Sequence, residues 1–192
     1  MANKSRGYMY NPKKVIVFAY EGKNNKTEKL YFSHFKPADD RYILKAFSSG
    51  VTDINNMIKS AKAKRNEYDY HSSEDLTYIF IDGDNDIDKL KLINEIKTKL
   101  PNDIHIIISN PTFEIWFLNH FVKTSKSMNN DELIKELNKY LPNYQKNDDY
   151  FDNLDQRAEV AISNSNFQLE LNSTNPFTDV VSLFNDKVIK KK

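Results

Sequence analysis

The chain contains 192 residues, which is enough for one domain of ordinary size. It has no cysteine, which excludes disulfides, thiolate zinc sites and cysteine nucleophiles, and its four glycines argue against glycine-rich phosphate loops. The 28 lysines and arginines nearly balance the 27 acidic residues, for a net charge of +1. Any affinity for nucleic acid must therefore come from local patches of charge.

No stretch of the sequence approaches the roughly 20 apolar residues of a membrane-spanning helix. Residues 1–14 are polar and contain no apolar run as long as that of a signal peptide. We therefore expect a cytoplasmic protein that does not associate with membranes, with a flexible N-terminal tail over residues 1–13.

Four short apolar runs predict β-strands, and they lie at residues 15–19, 42–44, 77–81 and 104–108. The first, third and fourth are almost continuously apolar rather than alternating, which is typical of parallel strands that are covered on both faces. Apolar residues recur at helical spacing between these runs, over residues 30–35, 51–61 and 87–100. This alternation of strands and helices predicts an α/β domain with a mostly parallel four-stranded sheet flanked by helices.

The pattern changes after Phe121, and no further strand is predicted. Helical stripes follow at residues 133–141, 151–162 and 177–184. About 70 residues would form only a marginal core alone, so we expect residues 125–192 to be a helical C-terminal extension that packs on the core of the domain at residues 14–124. The last residues, 187–192, are expected to be loose.

Acidic residues follow three of the predicted strands. Glu21 follows the first strand, Asp82, Asp84 and Asp86 follow the third, and Glu114 follows the fourth after a short Ser-Asn-Pro segment. Chemistry in open parallel sheets gathers beyond the carboxyl ends of the strands. Clustered carboxylates at one edge of a sheet suit a hard cation, which takes oxygen ligands and can act on phosphate groups. Glu21, Asp82, Asp84 and Asp86 are therefore candidate ligands for Mg²⁺ or Mn²⁺.

Ordinary structural roles remain open for these acids. The 82–86 segment is also typical of a turn, with Asp86 as the cap of the next helix. Glu21 is also typical of a solvated surface residue. Asn110 before Pro111 fits a helix that is capped at Asn110, which would place Glu114 in the first turn, off the core face and favourably placed in the helix dipole.

Several segments together resemble one known family. The opening signature of RloB-like proteins is similar to Glu21-Gly22, Thr27-Glu28 and Tyr31-Phe32, with two extra residues before the Thr-Glu pair. The family's apolar-Asp-x-Asp segment is similar to Ile81 to Asp84. The most specific match is Ser-Asn-Pro-Thr-Phe-Glu-Ile-Trp-Phe-Leu-Asn-His-Phe at residues 109–121. Tyr144-x-Lys146 and Asn175-Pro176-x-Thr178 resemble weaker elements downstream.

The resemblance implies a divergent TOPRIM fold, which is a Rossmann-like arrangement, over residues 14–124. It also implies a metal-dependent nuclease in bacterial anti-phage defence, including abortive infection, with DNA or RNA as substrate and an ABC- or AAA-type ATPase as partner. By analogy, Glu21 would act as acid/base, Asp82 and Asp84 would hold the metal, Glu114 would be a further ligand, and Lys146 would neutralise phosphate charge. Homo-oligomerisation remains open.

Two other functions fit the same residues. The chain would be a non-catalytic adaptor for the partner ATPase if the acids were inherited without activity, which the low net charge favours. The Asp82-x-Asp84 pair after an apolar strand also resembles an aspartate-based phosphatase of the haloacid dehalogenase type, although Asp86 occupies a position where that family has Thr or Val. Lysines at residues 59–65 and 187–192 fit phosphate contacts or solvated surface, and no interleaving of aromatic and basic residues indicates a platform for single strands.

Overall fold

The computed structural model describes residues 13–23, 27–68 and 74–192. The predicted flexible tail therefore lies outside the described residues, except for Lys13. The first half of the chain contains β1 (Lys14–Tyr20), α1 (Thr27–Ser33), β2 (Phe35–Pro37), β3 (Tyr42–Ser48), α2 (Ile54–Glu67), β4 (Leu76–Asp82), α3 (Ile87–Lys97) and β5 (Ile104–Asn110). The second half contains α4 (Glu114–Asn119), α5 (Asn130–Leu137), α6 (Phe151–Leu154), α7 (Ala158–Glu170), β6 (Phe177–Thr178), α8 (Ser182–Asn185) and β7 (Ile189–Lys191).

The described residues form an α/β structure around a mostly parallel five-stranded sheet of order β3-β1-β4-β5-β6. Strands β3, β1, β4 and β5 pair in parallel, as predicted, and β6 joins the edge antiparallel to β5. The prediction of four strands is wrong because β6 was not foreseen. This strand has two residues, so only its pairing with Ser109 and Asn110 makes it a strand, and no sequence period of that length is detectable.

The two faces of the sheet carry different cores. One face is rich in aromatic side chains, among them Phe18, Tyr20 and Phe80, which pack against α1 and the helices of the C-terminal half. The other face is mainly aliphatic, with Ile79 and Ile106 packing against α2 and α3. Neighbouring residues of a strand point to opposite faces, so strands covered on both sides are apolar throughout.

The C-terminal half shares the aromatic core and also contributes strands. Leu133, Leu154 and Val181 belong to the same buried cluster as Phe18 on the sheet. Strand β7 pairs antiparallel with β2, so the prediction that residues 187–192 are loose is wrong. The predicted helix at 177–184 is instead β6, a 3-10 turn and the short helix α8.

Helix α4 is the most deeply buried helix of the structure, since every one of its residues is buried. The prediction of a helix capped at Asn110 is wrong: Asn110 ends β5, its bond to Pro111 is cis, and α4 begins at Glu114. At the other end of α4, Asn119 forms the centre of an uncharged cluster, here called the amide network, with Asn164, Ser165 and Gln168. Within the described ranges, no helix is long and apolar enough to cross a membrane.

Candidate functional site

The ends of β1 and β4 meet through their acidic residues. The backbone N–H of Asp82 donates to Oε2 of Glu21 over 2.9 Å, although the two residues are 61 positions apart in sequence. Because β1 and β4 are adjacent parallel strands, their carboxyl ends lie at the same edge of the sheet. The structure therefore brings together two of the acids that the sequence singled out.

Asp82 lies at the centre of a group of five acids. Its Oδ1 accepts the backbone N–H of Phe113 over 2.9 Å, which ties the end of β4 to the segment before α4. Burial raises the pKa of Asp82 well above its ordinary value, and the surrounding carboxylates raise it further. Those neighbours define, with Asp82 itself, what we call the acid cluster: Glu21, Glu28, Asp82, Asp84 and Glu114.

A tight turn sets the position of Asp84. A side chain at Gly83 would collide with Asn110, since a Cβ there would lie 2.5 Å from Oδ1 of Asn110. That same oxygen accepts the N–H of Asn85 over 2.9 Å, and Asp84 and Asn85 both have positive φ. The close approach of β5 to this turn therefore requires glycine between the two aspartates.

Lys89 of α3 joins the partly buried Glu21 to the exposed Asp84. Its Nζ donates to Oδ2 of Asp84 over 2.7 Å and lies 3.5 Å from Oε1 of Glu21. Burial raises the pKa of Glu21 despite the opposing effects of the Asp82 N–H and the lysine. These residues line one side of an open cleft of about 620 Å³ between α2 and α3.

Glu114 is buried, contrary to the prediction that it lies off the core face. Only 2% of its surface is exposed, because α4 begins at Glu114 and points it inward. Its Oε1 accepts the hydroxyl of Tyr144 over 3.0 Å and lies 3.4 Å from Nζ of Lys146. Burial lowers the pKa of Lys146, but the carboxylates of Glu114 and Asp82 outweigh that effect and the pKa is raised overall.

Glu28 is the member of the cluster that sequence reasoning did not select. It is buried in α1, and its charge raises the pKa of Asp82 and of Tyr20. The adjacent Thr27 accepts the N–H of Asn147 through its Oγ1 over 3.1 Å, which attaches α1 to the loop that carries Lys146. The sequence feature that could have identified Glu28 is the Thr-Glu pair of the family signature.

Asp86 serves as the cap of α3. Its Oδ1 accepts the N–H groups of Asp88 and Lys89 over 2.9 and 3.0 Å. This is the ordinary structural role that the sequence left open for it. Asp86 lines the same cleft as Glu21 and Asp84, but the hydrogen bonds that its carboxylate accepts come from α3.

The side chains of the acid cluster are chemically suited to bind a divalent cation, but they are not arranged as a metal site in this structure. Carboxylate oxygens are the ligands of Mg²⁺ and Mn²⁺, and the cluster supplies five carboxyl groups. Within the described parts of the chain, however, no three acidic or histidine side chains are already grouped as a metal site. Lys89 and Lys146 hold the carboxylates in the arrangement described above.

Comparison with known proteins identifies one family. The family model for RloB-like protein matches residues 16–186, which is most of the chain and includes every member of the acid cluster. Neither the curated proteins nor the solved structures contain a match.

Proposed function

The chain belongs to the RloB-like family, and on this premise we propose that it is a metal-dependent nuclease that hydrolyses phosphodiester bonds of DNA or RNA. In this proposal the parallel sheet is a TOPRIM-like, Rossmann-like scaffold, and the acid cluster at its carboxyl edge is the active site. The protein would act in the cytoplasm as an effector of bacterial anti-phage defence, of the abortive-infection type, under the control of an ABC- or AAA-type ATPase.

The observation that carries the proposal is the convergence of acids around Asp82. Burial and four neighbouring carboxylates all raise its pKa, so the native structure holds together groups that repel one another. A purely structural site would gain stability from fewer charges. Glu21, whose pKa is raised by burial, lines the open cleft, and shifted carboxyl groups in clefts are a recurring property of active sites.

Asp82 and Asp84 are the residues that would hold the cation, Glu114 is a further candidate ligand, and Glu21 lies beside them as the acid/base. When bound, Mg²⁺ or Mn²⁺ would polarise the phosphate and neutralise part of its charge. Asp86 is left out of this set because the two hydrogen bonds that its carboxylate accepts belong to the cap of α3.

Glu21 is the proposed acid/base. Its Oε2 is held by the Asp82 N–H, while Oε1 faces Lys89 at the longer distance of 3.5 Å and is the atom available to a proton. The raised pKa of Glu21 makes it a stronger proton acceptor than a solvated carboxylate. Oε1 would take the proton of the attacking water as the new bond to phosphorus forms and the bond to the leaving oxygen breaks.

Lys146 would neutralise charge on the phosphate. Its side chain is 54% exposed, so the ammonium reaches both the buried Glu114 and the solvent. The raised pKa keeps it positively charged at neutral pH. The loop that carries Lys146 belongs to the C-terminal half, so the proposed site needs both halves of the chain.

The decisive experiment measures cleavage of labelled DNA and RNA with Mg²⁺ or Mn²⁺ and with EDTA. We expect cleavage by the wild type with metal, and its loss in Glu21→Gln and in Asp82→Asn. Glu95→Gln is the matched control, because Glu95 is an exposed acid on α3 that does not line the cleft. Cleavage by both active-site variants at the wild-type rate, in preparations free of other nucleases, would refute the proposal.

A non-catalytic adaptor is the second candidate function. The pairing of Lys89 with Asp84 and of Lys146 with Glu114 supports it, because these contacts compensate the acids without a metal ion. An adaptor would show no change in melting temperature when Mg²⁺ is added. A clear rise with Mg²⁺ that disappears in Asp84→Asn would exclude it.

An aspartate-based phosphatase is the third and weakest candidate. An assay with a small phosphomonoester as substrate, run in parallel with the polynucleotides, distinguishes a phosphatase from a nuclease. Turnover of the monoester alone would favour the phosphatase.

A further inference from the structure

A second concave site lies on the aromatic face of the sheet, beside the edge strand β3. We call it the lysine groove, and its volume is about 500 Å³. Its floor is formed by the apolar and aromatic side chains of Tyr20, Phe32, Phe35, Tyr42 and Leu44. Its rim carries four lysines, Lys13, Lys29, Lys36 and Lys192, and one acid, Asp40. None of these residues belongs to the acid cluster.

The charge of the groove suits an anionic ligand. Four ammonium groups face one carboxylate, and that carboxylate is already 3.2 Å from Nζ of Lys190. The chain as a whole has a net charge of only +1, so this is a local concentration of positive charge. Such a patch attracts phosphate groups in a way that depends on salt concentration.

The Tyr20 hydroxyl is an independent indication of a ligand. Tyr20 has no exposed surface, and within the described residues its hydroxyl has no hydrogen-bond partner. Buried hydroxyls are normally paired, so an unpaired one in the wall of a cavity fits a ligand that brings an acceptor.

The groove is directly connected to the acid cluster along the chain. Tyr20 lines the groove and the next residue, Glu21, belongs to the cluster. On α1 the same division occurs between Glu28, which belongs to the cluster, and Lys29, which lies on the rim. Because successive residues of a strand point to opposite faces, the groove and the cleft lined by Glu21 open on opposite faces of the sheet, and a single strand bound at both would pass around its carboxyl edge.

We propose that the lysine groove binds an unpaired nucleotide of the nucleic-acid substrate, with its base against Tyr42 and Leu44, the partly exposed side chains of the floor, and its phosphates at the lysine rim. The volume is in the range of small-ligand pockets and suits one nucleoside, not a duplex. Aromatic rings and lysines in one groove are the combination that binds single strands without reading sequence. This inference rests on the proposed nuclease function and gives it a substrate class, which is single-stranded or locally unpaired nucleic acid.

The test measures binding without catalysis. Fluorescence polarisation of labelled single-stranded DNA and RNA, with duplex for comparison, is recorded in EDTA for the full chain. We expect single strands to bind more tightly than duplex, and Lys29→Glu/Lys36→Glu to weaken that binding by about tenfold or more. Lys59→Glu/Lys62→Glu is the matched control, because both lysines are exposed on α2 away from the groove, and it should change binding less than about twofold.

A second variant tests the base rather than the phosphates. Tyr20→Phe keeps the ring but removes the hydroxyl, and we expect it to weaken binding of a normal oligonucleotide while leaving an abasic one unchanged. Equal binding by the wild type and Lys29→Glu/Lys36→Glu, or tighter binding of duplex, would overturn the groove proposal. Cleavage is measured separately, so loss of groove binding with intact cleavage would refute the groove alone, and intact binding without cleavage would refute the nuclease alone.

Discussion

The two ends of α4 carry buried polar groups of opposite character. At its end, the amide network is uncharged and pairs its own groups: Asn119 donates to Ser165 and Gln168 over 2.8 and 2.9 Å, and Gln168 donates back over 3.1 Å. At its beginning, Glu114 belongs to the acid cluster, in which the neighbouring carboxylates raise the pKa of Asp82. The first arrangement stabilises the fold, whereas the second holds like charges close together, and an added positive charge would reduce their repulsion.

The largest expected effect on stability comes from breaking the amide network. Asn119→Ala leaves Ser165 and Gln168 without partners and opens a cavity in the core, so we expect a loss of about 3–5 kcal/mol in the free energy of unfolding. Chemical denaturation monitored by circular dichroism measures this. The control is Asn166→Ala, which removes an exposed bond to Asn185 and should cost less than about 1 kcal/mol. Similar losses in both variants would show that the network has no special role.

His120 next to Asn119 predicts a pH-dependent loss of stability. Its ring is completely buried against Tyr31 and Trp116, and burial, assisted slightly by the charge of Arg157, lowers its pKa to about 4. The native state favours neutral histidine, so stability falls as the pH drops from about 6.5, the unfolded value, towards about 4. The total loss is about 3 kcal/mol.

The variant His120→Phe removes this titration while keeping an aromatic ring. We expect its unfolding free energy to fall less than that of the wild type between pH 7 and pH 4.5. Urea denaturation at several pH values measures the difference. The same slope in both proteins would contradict the assignment.

In the acid cluster we expect the opposite effect on stability, because removing one carboxylate charge should make the protein more stable. Asp82→Asn keeps an oxygen to accept the N–H of Phe113 and removes one of the repelling charges. We expect this variant, measured in EDTA at neutral pH, to be more stable by about 1 kcal/mol, which corresponds to a melting temperature about 2–4 °C higher. Glu95→Gln, at an exposed acid in the later part of α3, should leave the melting temperature unchanged, and a fall in Asp82→Asn would show that the cluster is not under electrostatic strain.

The smallest effect is expected at Lys146. Its side chain is 54% exposed and lies 3.4 Å from Glu114, which also keeps the Tyr144 hydroxyl as a partner. Lys146→Met should therefore reduce the unfolding free energy by less than about 1 kcal/mol, while reducing cleavage strongly if the nuclease proposal holds. Parallel measurement of melting temperature and cleavage separates the two roles. A large fall in stability would make Lys146 a structural residue.

The sequence predicted the parts of the fold that repeat a period over many residues. The apolar runs of β1, β4 and β5 indicated parallel strands, and the structure confirms that pairing. The strands β6 and β7 were missed because elements of two or three residues contain no detectable period. Their identity depends on the partners that they meet, which are distant in sequence.

The candidate site, like the fold, could be predicted only in part from the sequence. Strand-end position and family resemblance singled out Glu21, Asp82, Asp84 and Glu114, and the structure places all four in one cluster. The burial of Glu114 was missed because α4 begins at Glu114 and not just after Asn110, which changes the side of the helix that Glu114 faces. Glu28 was not selected, since its neighbour in space, Asp82, is 54 residues away, the difference between positions 82 and 28.

What the amino-acid sequence determined alone is the set of local preferences: which segments become strands and helices, which carry acids at their ends, and which family the chain resembles. Tertiary structure alone decided which charges became neighbours, which side of α4 faces the acids, and where lysines from four separate segments surround one groove. The physical reason is that secondary structure depends on interactions within a few residues. Burial and electrostatic interaction depend on distances in space, and these are set only when the sheet and its helices have packed.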